Sequence, residues 1–369
     1  MTLSDDERDL IALHLVTGVG PRITSNLLER FGSASAVLRA TSRELREVPY
    51  LPQKVADALS AALANPDVAK EVELLAKHGV QLRVLHRDGY PPNLATIPYP
   101  PHLLFVRGDI SPSDEKAIAI VGSRACTSYG RRCAERIAGD LARAGWTIVS
   151  GLARGIDGCA HRGALNAKGR TLAVLAGGLS KIYPPEHAEL ANEVAASGAL
   201  ITESCMLMEP MAAMFPARNR IISGISRAVV VIEAEMKSGA LITARHAGEQ
   251  GREVFALPGP VDSAASAGTL HLLRQGAKLV RNADDILEDL HSLPALVEHA
   301  EASAPVTPAM PTGLDETQQR IWEAMAERRL IDHLTAELEL PITELSRHLM
   351  TMELKKVVRR LPGNWYERY

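Results

Sequence analysis

Three textures of hydrophobic and polar residues succeed one another along the chain. Residues 1–75 carry apolar positions at helical spacing, with no convincing strand. From 80 to 290, short β-branched runs alternate with amphipathic stretches. Residues 314–369 are again mostly helical and close in a short segment that reads as a β-wing. The stretch between them, 291–313, is rich in Pro, Ala and Ser and reads as a linker. No long-period repeat is visible.

The middle region predicts six strands: Ala117–Val121, Trp146–Ser150, Thr171–Leu175, Leu200–Glu203, Ala228–Glu233 and Glu253–Leu257. Most are continuous apolar runs, the pattern of a sheet covered on both faces. Alternation with helices implies right-handed crossovers and a Rossmann-like, doubly wound, mostly parallel α/β sheet. A ligand of such a sheet binds beyond the carboxyl ends of its strands. Those ends carry Gly122-Ser123-Arg124, Ser150-Gly151, Ala176-Gly177-Gly178, Glu203-Ser204, Glu233-Ala234 and Pro258-Gly259. Small residues there suit close approach of a phosphate or a sugar backbone.

Composition narrows the reading. At 369 residues the chain has room for about two to three domains. Lys+Arg 41 against Asp+Glu 44 gives a net charge of −3, which excludes a histone-like polycation and an acidic tail protein. A local basic cleft in a neutral chain stays open. Aromatics are 4%, so the cores are aliphatic and binding by stacking alone is disfavoured. The acidic start, MTLSDDERDLIALHL, does not read as a secretory signal, and no apolar run approaches the roughly 20 residues of a membrane span. Cys126, Cys133, Cys159 and Cys205 form neither a CxxC pair nor a metal-like spacing with His. The expectation is a cytoplasmic protein with reduced thiols, no metal, no cofactor and no membrane insertion.

In the N-terminal region, Gly18-Val19-Gly20-Pro21 reads as a tight turn opening a helix, the pattern of a helix-hairpin-helix. Its second half, at Val48-Pro49-Tyr50-Leu51-Pro52, lacks glycines. Either Gly18 and Gly20 hold a DNA phosphate, or the module is a structural bundle that keeps the hairpin shape.

IAIVGSRACTSYG is strand, turn and helix start. Gly122 permits the tight turn, Ser123 and Thr127 place hydroxyls beside free helix N–H groups, and Arg124 adds positive charge. The dinucleotide string GxGxxG is absent, and the acid expected about 20 residues on would fall near Ser150, which is not acidic. GxxxxGK[ST] is missing too.

In SGLARGIDGCAH, Ser150 and Gly151 end a strand, and Arg154 and Gly155 lie in a loop able to face the first. Asp157 is placed to cap the next helix, with His161 one turn on. The Ser-Asp-His grouping lacks GxSxG, and cap and structural roles account for it better than a hydrolase triad.

Arg218, Asn219 and Arg220 precede an apolar helix segment. Residues two apart do not share a helix face, so one arginine faces the crevice and the other ties elements together. Lys237-Ser238-Gly239 opens another helix, where Ser238 and Thr243 either bond phosphate oxygens or satisfy the helix itself. Glu203, Glu233 and Asp157 are the few crevice acids, so Arg is in excess, as an anionic ligand requires. Tyr129, Tyr183 and Phe215 are the aromatics that could stack bases, although core packing is the better account of each.

Read in order, VGSR, SGLARGID with AH, FPARNRIISG, VVVIEA, KSGALIT and GREVFALPG resemble the DNA-processing protein A family (DprA, also called Smf). The resemblance covers most of the chain, with its core from about Leu85 to Leu287. It implies a SAM-like N-terminal domain and a C-terminal winged helix. It also implies a non-enzymatic protein that binds and protects single-stranded DNA, loads RecA recombinase during natural transformation and works as a homodimer. The binding role carries over to Gly122, Ser123, Arg124, Ser150, Gly151, Arg154, Arg218, Asn219, Arg220, Lys237, Ser238, Gly239 and Thr243, with Thr127 and Gly155 beside them. Pro185 stands where some members place a basic residue. Either Lys181 supplies that charge or the site binds DNA more weakly.

The alternative is a nucleotide-binding or nucleotide-hydrolysing enzyme of the lysine-decarboxylase-like Rossmann group. Its PGGxGTxxE string is not met: LPGPVDSAASAGTLHLL and AGGLSKIYPPEH both lack the glutamate after GT. A scaffold with a vestigial crevice is a third reading. At the C-terminal end, Ile342–Leu349 reads as a recognition-type helix. Lys355, Lys356, Arg359 and Arg360 follow it before the turn at Pro362-Gly363. The basic cluster suits duplex DNA, and the many glutamates nearby suit a protein-docking role or an inert appendage at least as well.

Overall fold

The computed structural model describes residues 3–49, 51–62, 67–292, 314–325, 329–338, 340–355, 357–361 and 365–368. Two compact units result, Met1–Pro294 and Ala295–Tyr369. Nearly all of the expected linker, from residue 293 to 313, lies outside the described residues.

The first unit is built on a nine-stranded sheet: β1 (Val80–Val84), β2 (Leu103–Gly108), β3 (Ala117–Val121), β4 (Thr147–Ser150), β5 (Thr171–Leu175), β6 (Ala199–Thr202), β7 (Ala228–Val231), β8 (Glu253–Ala256) and β9 (Lys278–Leu279). Their order is β1-β2-β6-β5-β4-β3-β7-β8-β9. All neighbours from β6 to β9 are parallel, while β1 and β2 add an antiparallel ribbon beside β6. The doubly wound expectation holds, and the six expected strands are present, Ala117–Val121 and Thr171–Leu175 with the expected bounds and the other four with an end shifted by one or two residues. β1, β2 and β9 are additions. Winding runs outward from β3 through β4 and β5 to β6, then returns to β7 on the other side of β3. The switch point therefore lies between β3 and β7, where such sheets hold ligands.

Every residue of β3, β4, β5, β6 and β7 is buried, which explains their unbroken apolar runs. Ile118, Ile120 and Ile148 pack towards the helices Ser128–Arg143 and Ile156–Asn166. Ala119, Val121 and Val149 pack towards the helices Met214–Ile225 and Gly239–Glu249.

Six short helices precede the sheet, from Asp5–His14 to Asp67–His78. As expected, Gly20 is the N-cap of a helix whose first residue is Pro21, and Gly18 takes the left-handed φ of +93° that the turn demands. Phe105 and Leu200 of the sheet share one core with Leu13, Leu45 and Leu75 of these helices. Polar anchors reinforce that contact. The His14 ring meets the Glu203 carbonyl oxygen, and the buried Glu71 carboxylate accepts the Met206 N–H at 2.6 Å. Burial raises the Glu71 pKa, an effect larger than the opposing hydrogen bond from Met206. The bundle thus braces the chain that leaves β6 towards the helix carrying Arg218.

The second unit holds the helices Glu316–Ala324, Ile331–Leu338 and Ile342–Leu354, with β10 (Arg329–Leu330), β11 (Val358–Leu361) and β12 (Trp365–Arg368) in the antiparallel order β10-β12-β11. Ile321, Leu334, Leu345, Leu349 and Val358 form its core. The expected recognition helix continues to Leu354. Lys355 and Arg359 are exposed, while Lys356 and the Pro362-Gly363 turn lie outside the described residues.

Candidate nucleic-acid interface

At the switch point, β3 runs into Gly122-Ser123-Arg124. A Cβ on Gly122 would lie 2.7 Å from Ile156 Cγ1 and 2.8 Å from the Glu233 carbonyl oxygen, so this turn takes no side chain. Glu233, just past β7, holds the loop at both ends. Its carbonyl accepts the Ser123 N–H at 2.7 Å, and its carboxylate accepts the Thr127 N–H at 2.8 Å together with the Thr127 hydroxyl. The Thr127 oxygen in turn caps the helix Ser128–Arg143 by accepting the Gly130 N–H at 3.1 Å. The expectation for Thr127 is therefore corrected. Its amide and hydroxyl are committed to a carboxylate rather than standing free for a phosphate.

The second loop reaches the first through the Ile156 N–H and the Ser123 carbonyl, 3.2 Å apart. Gly155, at φ +74°, makes this approach possible, because a Cβ there would overlap the Ser123 carbonyl. Gly155, not Asp157, is the N-cap of the helix Ile156–Asn166. Asp157 is buried instead, accepting the Gly151 N–H at 3.2 Å and the Ala153 N–H at 3.3 Å, and burial raises its pKa against the pull of Arg218. Ser150 is also buried, and its hydroxyl donates to the Ile120 carbonyl at 2.6 Å, so the side chain ties two strands rather than meeting a ligand. His161 sits 2.7 Å from the Thr171 hydroxyl, and burial drives its imidazole down to about 3. The hydrolase grouping of Ser150, Asp157 and His161 is thus not assembled.

The two neighbouring arginines divide as their spacing predicts. Arg218 is buried between the loops and donates to the carbonyls of Gly151, at 2.7 Å, and Val174. Arg220 ties elements together, donating to Glu203 at 2.6 Å and to the Tyr99 carbonyl at 3.0 Å. Asn219, between them, donates to the Gly239 carbonyl at 3.2 Å and anchors the start of the next helix. That helix, Gly239–Glu249, is capped by Ser238, whose hydroxyl accepts the Ala240 N–H at 3.3 Å. Lys237 and Gly239 are exposed, whereas Thr243 is buried in the crevice wall.

Two adjoining cavities occupy this end of the sheet. The larger, about 550 Å³, lies between the Gly122–Ala125 loop and the Lys237–Ala240 helix start. The smaller is walled by Gly177, Gly178, Tyr183, Pro210 and Phe215. Arg124 and Arg218 border both. The Arg124 guanidinium lies over the Phe215 ring at 4.9 Å, and Phe215 meets Tyr183 edge-on at 5.9 Å. Core packing does not account for the tyrosines, since Tyr129 and Tyr183 are each 42% exposed.

The expected excess of crevice cations shrinks. Arg154 pairs with Glu186 at 2.5 Å and Lys181 with Glu209 at 2.8 Å, two acids the sequence reading did not count. Glu233 leaves the balance because it serves the first loop. Arg124 and Lys237 are the exposed site cations without a carboxylate partner among the described residues. Among those residues no group of His, Cys, Asp or Glu could hold a metal, and no helix is long and apolar enough to cross a membrane.

Residues 81–291 match the sequence profile of a family described as DNA recombination-mediator protein A, and residues 304–364 match a DprA winged helix domain. Protein Smf of Synechocystis is 33% identical over 97% of this chain and 98% of its own length. The X-ray structure of DNA processing protein A from Streptococcus pneumoniae superposes with a TM-score of 0.68 at 32% identity, covering 78% of this chain and 99% of that one. A Helicobacter pylori DNA processing protein A, whose structure was reported for its single-stranded DNA binding mode, gives 0.52 at 30% identity over 57% of this chain and 96% of that one.

Proposed function

The chain belongs to the DNA recombination-mediator protein A family, and from that premise we propose that it binds single-stranded DNA across the crevice between β3 and β7 as a step in DNA recombination. The observation that carries the reading is Arg124. It is exposed, free of any carboxylate among the described residues, and placed on the border of both cavities over an aromatic ring. A guanidinium so placed neutralises a phosphate while Phe215 and Tyr183 offer ring surface to a base. Lys237 and the open backbone at Gly239 receive a neighbouring phosphate. Arg218 supplies fixed positive potential from below, and Arg154 and Lys181 join when a phosphate competes with Glu186 and Glu209.

The protein performs no reaction of its own in this reading. It protects the strand and hands it to RecA recombinase, acting as a homodimer. Residues 1–75 form the SAM-like module, 80–290 the DNA-binding domain and 314–369 the winged helix.

The test is fluorescence anisotropy with labelled oligo-dT and its duplex counterpart at two salt concentrations, with Arg124→Ala in parallel. Tight single-strand binding that weakens with salt, exceeds duplex binding and falls in the variant is expected. Equal binding of the two DNA forms at low salt sinks the reading.

A further inference from the structure

We propose that Glu233 is a built-in anion. It fills the helix start where a doubly wound crevice ordinarily seats a phosphate, so that free phosphate monoesters are turned away and Arg124 is held for a polymer backbone.

Three observations carry this. First, the Glu233 carboxylate is buried, yet its oxygens are satisfied by the start of the helix Ser128–Arg143, through the Thr127 N–H at 2.8 Å and the Thr127 hydroxyl. Those are donors that a bound phosphate would use, and the positive end of the helix dipole favours negative charge there. Second, the space is prepared for the carboxylate. A Cβ on Gly130 would overlap it, so the first helical turn is glycine where the carboxylate sits. Third, the same residue grips the other end of the loop, its carbonyl accepting the Ser123 N–H at 2.7 Å. Arg124 lies between the two grips. Glu233 is therefore a positioning residue for Arg124 as well as an occupant of the phosphate seat.

A dianionic phosphate approaching that helix meets a fixed negative charge in a poorly solvated setting, where like charges repel strongly. The second helix start in the crevice differs. Apart from its chain neighbours and its own helix, no heavy atom of the described residues lies within 4 Å of where a Gly239 Cβ would stand, and exposed Lys237 lies two residues before it. A backbone phosphate is accommodated on that side, and the side occupied by Glu233 supplies only the guanidinium of Arg124.

The test compares wild type with Glu233→Gln. Inorganic phosphate and ADP are titrated at millimolar concentration and read by thermal shift and calorimetry, and oligo-dT is read by anisotropy. Wild type is expected to be indifferent to phosphate at the Thr127 helix start. Glu233→Gln should bind phosphate at least about tenfold more tightly than wild type, because the isosteric amide removes the negative charge that repels it. Its oligo-dT affinity should fall by roughly threefold to tenfold, because an amide holds the loop less firmly. A purely structural role would lower the melting temperature without creating phosphate dependence. A folded Glu233→Gln that ignores phosphate overturns the proposal. If that variant does not fold, amide NMR of wild type decides. Phosphate shifting the Thr127 and Gly130 signals overturns the proposal, and phosphate shifting Gly239 alone supports it. The phosphate arm does not depend on the DNA reading, so a wild type that fails to bind oligo-dT would sink that reading and leave this one to be judged on its own.

Discussion

The Arg218 guanidinium is seated where Gly151 has no side chain: Nη1 donates to the Gly151 carbonyl at 2.7 Å, and a Cβ on Gly151 would overlap that nitrogen. Burial lowers the Arg218 pKa to about 10, with Asp157 pulling the other way, so the guanidinium stays charged at neutral pH. A buried cation thus lies under the crevice, locked by two carbonyls and a glycine.

This lock predicts two stability losses. Gly151→Ala displaces the guanidinium and should cost about 1–3 kcal/mol, the usual penalty of overpacking. Arg218→Met leaves the buried Gly151 and Val174 carbonyls without their donor and should cost about 2–5 kcal/mol. Urea unfolding of both variants checks the order. A smaller loss for Arg218→Met than for Gly151→Ala would contradict the account.

Arg124→Ala should leave folding nearly unchanged, since the side chain is exposed and makes no ion pair among the described residues. Oligo-dT affinity should drop about tenfold, and the slope of log affinity against log salt should flatten by about 0.7, the loss of one single-strand phosphate contact. Anisotropy across a salt series measures both quantities.

Glu186→Gln frees Arg154 from its 2.5 Å partner. Both side chains are half exposed, so the pair is screened by solvent and folding stability should change little. Oligo-dT affinity should rise by roughly twofold to fivefold at low salt, and the gain should shrink as salt is added. Unchanged affinity at every salt concentration would show that Arg154 does not reach the strand.

His161 gives the fold an acid-sensitive component. Its folded pKa is driven down to about 3 by burial, then by His187 and Arg218, from an ordinary value near 6.5. The unfolded chain therefore binds the proton first. Stability from this residue is complete above the unfolded pKa and declines as pH falls from there towards the folded pKa. At pH 5 the loss is about 2 kcal/mol. Asp157 and Glu71, whose folded pKa values are raised, oppose it by gaining stability as pH falls through their folded values. The difference between wild type and His161→Gln in melting temperature against pH isolates the histidine. Parallel curves between pH 7 and pH 5 would show that the imidazole is not excluded from protonation.

Much of the architecture was legible along the chain. Runs such as Ala117–Val121 and Thr171–Leu175 announce strands buried on both faces, because no polar residue survives in such a place unpaired. Glycines at 122, 151 and 155 and the basic residues near them marked the right end of the sheet. β1 and β2 were less legible. Val80–Val84 is five residues of mixed burial, and its pairing with β2 depends on β6 and the helical bundle closing over it.

What the sequence determined by itself was local: periodicity, turn chemistry and the set of strand ends that could hold an anion. Those follow from the conformational preferences of neighbouring residues and from the burial each position tolerates. What only the tertiary structure decided was who neutralises whom. Thr127 meets Glu233 across 106 residues, Arg154 meets Glu186 across 32, and Arg218 meets Gly151 across 67. Charge pairing and hydrogen bonding act over a few ångströms of space, and a linear string carries no such distances. Arg124 and Lys237 emerged as the cations free to bind only once the sheet had brought the other partners together.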